Sequence, residues 1–314
     1  MIRNLVVLII ISFLSFVVLA RFGVFNPNDD KLKQTYTDER SRFLNVEGVP
    51  IHVVMEGEGP VIILLHGYLS SLKQWDGWSS ELQKDYTVIR FDIPPFGLSG
   101  PDPKNEYNSE RAYTLFVALV ESLGYENFAI AGTSSGSILA LRYAADYPKR
   151  VSKLLLSTVP AYNPTDRRQP SWQFRFVGWF SDTFFKVWRP TLYWRMFLEN
   201  VFGKPELVLD HVVAEYSDFN NKVDSIANSK QFVISNAKST FDVAKAASKV
   251  SVPTLIQWAG KSPVLSMAGL NNVEKMFTET SLEIIRYPEL GHKLMMEAPQ
   301  ETVSDAISFL KKEF

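Results

Sequence analysis

Residues Leu5 to Ala20 are apolar apart from Ser12 and Ser15, with Arg3 before them and Arg21 after. As a helix rising about 1.5 Å per residue, this run reaches roughly 24 Å, short of a hydrocarbon core of about 30 Å. Continuing through Phe22 to Phe25 closes the gap if Arg21 snorkels to the interface. The pattern predicts a membrane anchor. A cleaved signal peptide fits the same residues, because Arg3 supplies a basic flank and Val18-Leu19-Ala20 ends on a small residue. The expectation is therefore a single-pass membrane protein with its main domain outside the cytoplasm, or a secreted or periplasmic protein after cleavage. The orientation rests on Arg3 and the amino terminus against Arg21, Lys31 and Lys33.

From Ser41 the pattern changes to short β-branched runs alternating with amphipathic stretches. Arg42 to Val46 and Ile51 to Glu56 read as an antiparallel pair turned at Glu47-Gly48, and Val61 to Leu65 as a central strand apolar on both faces. Ser71 to Leu82 reads as a helix, Thr87 to Asp92 as a strand, and Ser109 to Leu123 as a helix closed by Gly124. Phe128 to Ala131, Ser135 to Tyr147 and Val151 to Leu156 repeat strand, helix, strand. After a break, Thr254 to Trp258, Met267 to Phe277, Leu282 to Tyr287 and Gln300 to Lys312 resume the alternation. This predicts an α/β fold with a mostly parallel sheet of about eight strands and helices on both faces. Ligands of such sheets sit beyond the carboxyl ends of the strands.

The break, from Pro160 to Pro253, has helical periodicity and an aromatic surplus: Trp172, Phe174, Phe176, Trp179, Phe180, Phe184, Phe185, Trp188, Tyr193, Trp194, Phe197 and Phe202. It reads as a helical cap inserted over the strand ends. The domain division is then 1–25 as anchor or signal, 41–159 with 252–314 as the core, and 160–251 as the cap.

Composition narrows the chemistry. The 314 residues carry 33 basic and 34 acidic side chains, a formal charge of −1, without the basic excess that nucleic-acid binding needs. With no cysteine, disulfides, thiolate metal sites and cysteine nucleophiles are excluded, and imidazole chemistry is confined to His52, His66, His211 and His292.

Gly132-Thr133-Ser134-Ser135-Gly136 fits G-x-S-x-G between a predicted strand and a predicted helix. That context leaves the Ser134 hydroxyl exposed on a sharp turn beside the positive end of the helix. With the chain order of nucleophile, acid, histidine, the base is expected from His292, in the strand-end loop Pro288-Glu289-Leu290-Gly291-His292, rather than from His211 in an amphipathic helix. His52 is expected on the outer side of the sheet, and His66 and Asp92 as loop organisers. The N–H of Ser135 and the N–H of Tyr68 are the expected oxyanion donors.

With L-L-H-G at Leu64 to Gly67, R-F-D-I-P-P-F-G-L-S-G at Arg90 to Gly100, V-P-T-L-I at Val252 to Ile256, and G-H followed by M-E-A-P at Met296 to Pro299, the chain resembles the α/β-hydrolase superfamily over about residues 41 to 314. It is most similar to membrane-anchored or exported bacterial serine hydrolases related to carboxylesterases and meta-cleavage hydrolases, a group that Trp75-Asp76-Gly77-Trp78 fits. The resemblance implies Ser134 as nucleophile, His292 as base, and Tyr68 and Ser135 as the oxyanion hole. Dehalogenase and epoxide hydrolase relatives carry Asp at the elbow, so Ser134 argues against both activities.

One departure stands out. The run that carries the family's acid, W-G-x-x-D, reads Trp258-Ala259-Gly260-Lys261-Ser262, so the acid position holds Ser262. Asp166, Asp182, Asp210, Asp218 and Glu289 do not match the usual site, and Glu289 is expected to point outward. Smaller departures are Pro95 and Ser137 where glycines are common. The expectation is a hydrolase of ester-type bonds acting on an apolar or lipid-like substrate, weakened by Ser262 and using no metal or organic cofactor. The alternative is a catalytically degenerate fold that binds an apolar ligand or a protein partner.

Overall fold

In chain order the first elements are α1 (Ile2–Arg21), α2 (Asp29–Tyr36), β1 (Ser41–Val46), β2 (Val49–Glu56), β3 (Val61–Leu65), α3 (Asp76–Leu82), β4 (Thr87–Phe91), α4 (Ser109–Leu123), β5 (Phe128–Thr133), α5 (Ser135–Asp146) and β6 (Val151–Ser157). Five helices follow: α6 (Trp172–Phe180), α7 (Thr191–Val201), α8 (Asp210–Asn220), α9 (Ser225–Asn236) and α10 (Val243–Ala247). The chain closes with β7 (Thr254–Ala259), α11 (Met267–Met276), β8 (Leu282–Tyr287), α12 (Leu294–Glu297) and α13 (Pro299–Leu310). This is a computed structural model, and it describes residues 2–160 and 169–314. Asp166 lies outside the described residues.

The strands form one sheet in the order β1-β2-β4-β3-β5-β6-β7-β8. β1 and β2 are antiparallel, as are β2 and β4, and every pairing from β4 onward is parallel. The continuous apolar run of β3 follows from this position. Ile63 and Leu65 face one core layer with Phe91, Phe116 and Ile130, while Ile62 and Leu64 face the other with Trp75, Trp78 and Phe309. Trp75 and Trp78 are thus core residues, with the Trp78 Nε1–H donating to Thr302 Oγ1 at 2.9 Å.

Two expectations change, and one helix is new. Ser71 to Leu82 is not one helix. Asp92 Oδ1 accepts the N–H of Leu72 at 2.7 Å and holds Leu72–Trp75 as a tighter 3₁₀ turn before α3. The short α2 has a single buried residue, Leu32, and therefore gives no periodic signal; Asn28 caps it by accepting the Lys31 N–H. His52 is not on an outer face. It is buried, and Phe43, its direct partner on the neighbouring β1, stacks on its ring with centroids 5.0 Å apart. Its Nδ1 lies 2.8 Å from Asp92 Oδ2 and its Nε2 3.0 Å from Ser41 Oγ.

α1 is long and apolar enough to cross a hydrocarbon core. Its C-terminal end rests on the helical insertion. Phe16 makes edge contacts with Phe185 and Trp188, and Arg21 Nη1 donates to the Thr183 carbonyl at 3.2 Å.

β5 and α5 are packed so closely that a Cβ on Gly132 would lie 2.4 Å from the Gly136 carbonyl oxygen. Gly132→Ala should therefore force strand and helix apart and destabilise the fold by about 1–3 kcal/mol, measurable by urea unfolding.

Candidate active site

The turn between β5 and α5 places Ser134 at φ 51°, ψ −121°, outside the relaxed regions for an L-residue. Two constraints hold it there. Its N–H donates to the Ser157 carbonyl at 3.0 Å, and a Cβ on Gly136 would meet the His66 and Leu65 carbonyl oxygens at 2.4 and 2.5 Å, so the helix start lies directly against β3. Ser137, at a position where glycine is common, is fully buried and donates its hydroxyl to the Ser134 carbonyl.

The loop after β8 brings His292 to this turn. Its Nε2 lies 3.0 Å from Ser134 Oγ, and its Nδ1 3.0 Å from Ser262 Oγ. The structure thus brings together the expected nucleophile, the expected base and the residue at the acid position. Ser262 Oγ also accepts the Val264 N–H at 3.3 Å. Among the described residues no carboxylate reaches the imidazole. Asp182 pairs with Arg189 and Lys230, Asp210 with Arg195, Asp218 accepts the Tyr36 hydroxyl, and Glu289 is exposed against Lys261.

A hydroxyl differs from a carboxylate here because it can both donate and accept. With Nδ1–H donating to Ser262, Nε2 is free to accept the Ser134 proton. With Ser262 donating to Nδ1, the proton sits on Nε2 and the ring cannot act as a base. A carboxylate permits only the first arrangement.

The remaining residues sit largely as expected. His66 Nε2 accepts the Ile93 N–H at 2.8 Å and its Nδ1 donates to the Gly67 carbonyl at 2.8 Å, so the ring is a neutral loop tie. Asp92 accepts the N–H groups of Leu72 and Leu98, and a Cβ on Gly97 would strike its carboxylate, so it organises its loop. His211 is exposed in the first turn of α8. A Cβ on Gly67 would lie 3.1 Å from Ser134 Cβ, which puts the Gly67-Tyr68 backbone beside the hydroxyl. No described residue accepts the N–H of Tyr68 or of Ser135. Next to them lies a cavity of about 10 Å³ lined by His66, Gly67, Phe96, Ser135 and Phe232.

A family model described as alpha/beta hydrolase fold matches residues 60–299. The chain belongs to the α/β hydrolases. It is 23% identical to a lipase of Moraxella sp. over 264 residues, 80% of this chain and 77% of the relative. An abhydrolase domain-containing protein of Caenorhabditis elegans is 34% identical over 134 residues, 40% of this chain and only 30% of the relative's length. A bacterial membrane phospholipase A shares the fold with a TM-score of 0.74 at 22% identity, covering 99% of this chain and 98% of that one.

The hydrolase core holds groups beyond those expected. The buried Glu297 carboxylate accepts the N–H groups of Gly291 at 2.9 Å and Gly203 at 2.8 Å, tying the His292 loop to the insertion. Its signal was its place in M-E-A-P, five residues after the histidine. His292 N–H donates to the Val201 carbonyl at 2.7 Å, a second such tie. Lys293 is buried with its ammonium 5.6 Å from the Tyr216 ring centroid, and burial lowers its pKa to about 7. The buried Glu215 accepts the Ser71 hydroxyl at 3.0 Å and is pushed up to about 7 by burial.

Burial lowers His292 to about 3, with the charge of Lys293 adding to the effect, and lowers His66 to about 4. Both rings are neutral when folded, whereas the unfolded chain protonates its histidines near pH 6.5. Below that value the unfolded state binds more protons at these two positions, so their contribution to stability is full above about pH 6.5 and falls as pH drops toward 4, while Glu215, raised to about 7, gives the opposite slope over part of this range. Each of these histidines should remove up to about 1.4 kcal/mol per pH unit in that window. Melting temperatures from pH 7 to pH 4.5 check this: His66→Asn should be less stable at pH 7 yet lose less on acidification.

Proposed function

We propose that this hydrolase cleaves an ester-type bond of an apolar, lipid-like substrate through an acyl-enzyme on Ser134. The observation that carries the reading is the 3.0 Å contact between Ser134 Oγ and His292 Nε2 on a strained turn at the sheet edge. His292 takes the Ser134 proton as Oγ attacks the carbonyl carbon, and the N–H groups of Ser135 and Tyr68 hold the oxyanion. The protonated ring then returns its proton to the departing alcohol oxygen. A water, deprotonated by the same ring, releases the acid and restores Ser134. Residues 41–159 and 252–314 are the catalytic core in this reading, and 160–251 the cap. Residues 1–25 are a membrane anchor, with the core outside the cytoplasm. Cleavage at the Val18-Leu19-Ala20 segment is the competing fate.

Ser262 weakens this chemistry at one identifiable step. The imidazolium formed during attack has no carboxylate among the described residues to stabilise it, while buried Lys293 opposes its charge. In serine proteases the corresponding loss is about 10⁴ in turnover. The Ser262 hydroxyl at the acid position also favours a second reading, a degenerate fold that binds an apolar ligand or a protein partner. A fluorophosphonate probe separates them. Covalent labelling that disappears in Ser134→Ala supports the enzyme, and no labelling of folded protein supports the binder.

Two further outcomes follow for the enzyme. Ser134→Ala and His292→Ala should each abolish most esterase turnover, and the double variant should lose little more; additive losses would count against a shared site. Ser262→Asp should raise kcat more than tenfold, toward the roughly 10⁴ that such an acid supplies elsewhere. It should also move the acid limb of kcat/KM upward from near pH 3, because an opposite charge raises the imidazole pKa.

A further inference from the structure

α6 presents an anomaly that catalysis does not absorb. None of its nine residues is buried, and Trp172, Phe176 and Trp179 are 72%, 54% and 57% exposed. Their spacing of four and three residues puts them on one helical stripe. Arg175 lies on the same stripe, and the four side chains line one open groove. A helix of this length is not stable by itself in water, and an apolar stripe of this kind marks a surface that something covers.

The aromatic contacts show where the stripe leads. Phe176 touches Trp179, Trp179 touches Phe184, Phe184 touches Phe180, and Phe180 touches Phe185. Phe185 in turn meets Phe16 of α1, and Trp188 meets both Phe16 and Phe25. The run of rings is unbroken from the hydrophobic helix to the exposed stripe. Arg21 closes the junction by donating to the carbonyls of Thr183 and Phe184.

These contacts fix a depth. The 20 residues of α1 span about 30 Å, matching a hydrocarbon core, so Arg21 lies at its edge. Phe16 is five residues nearer the centre, roughly 7.5 Å below that edge. Whatever packs on Phe16 therefore sits at the boundary of acyl chains and headgroups, where Trp, Phe and Arg are favoured.

We propose that the Trp172-Arg175-Phe176-Trp179 face of α6 is seated in the surface of the same bilayer that α1 crosses. The cap then lies against the membrane, with Arg175 at the level of the lipid phosphates. This rests on the reading of α1 as an anchor and deepens it: α1 is a strut that sets the cap on the lipid surface, not a loose tether.

The full chain in vesicles of phosphatidylcholine and phosphatidylglycerol tests this by tryptophan fluorescence, using lipids brominated near the headgroup or near the bilayer centre. Trp188 meets Phe16 and Phe25 and would itself be quenched, so both proteins compared carry Trp188→Phe. Shallow bromines should then quench strongly, and Trp172→Phe with Trp179→Phe should remove most of that quenching, since Trp75, Trp78, Trp194 and Trp258 are buried in the protein. Equal shallow quenching with and without these two substitutions overturns the proposal. So does weak quenching with self-association that Trp172→Ser and Trp179→Ser abolish, which would make the face a contact between two copies. If an alkaline carbonate wash strips the chain from the vesicles, the anchor reading fails and the proposal falls with it. Hydrolysis is not measured, so loss of the catalytic reading leaves the result intact.

Discussion

Three backbones crowd together at Ser134, and most of the functional geometry follows from that crowding. β5 can run into α5 only because Gly132 and Gly136 present no Cβ, and α5 can start against β3 only because Gly136 lies within touching distance of the Leu65 and His66 carbonyls. With both neighbours pressed in, the chain reverses in one residue, and Ser134 takes a positive φ. The strain is held by the parallel pairings of β5 with β3 and β6, so the hydroxyl is fixed before any substrate arrives.

Around this point the chain keeps Ser134 and His292 within hydrogen-bond reach while a hydroxyl, not a carboxylate, meets the other ring nitrogen. Ser262 meets Nδ1 at the distance an acceptor should have, yet it brings no field to favour the imidazolium and does not select one tautomer. Family membership and the fold are compatible with lipases and with several other hydrolytic chemistries. The local electrostatics at His292 are set by burial and by Lys293, with a neutral hydroxyl from Ser262 on Nδ1.

Much of the sheet was legible in the sequence because its signals are local. β8 and α4 match their expected limits, and Gly124 closes α4 in the left-handed conformation. The meeting of Ser134 with His292 was legible through spacing within G-x-S-x-G and the glycine before His292. Glu297, Lys293 and Glu215 were not, since their roles depend on contacts between the closing segment and an insertion far away in the chain. His52 shows the same limit. Alternation assigned its face, but only the pairing of β1 beside β2, which brings Phe43 onto the ring, and the reach of Asp92 decided what covers it.

The tie between the insertion and the base loop changes what opening the site would mean. Val201 and Gly203 are bound to His292 and Glu297, and Gly291 lies so near Gly203 that no side chain fits between them. The covering segment therefore cannot lift at this corner without carrying the imidazole along. In the proposed reaction, admission of a substrate and alignment of the proton acceptor become a single coordinate, so a displaced cover would leave Ser134 with no partner to take its proton.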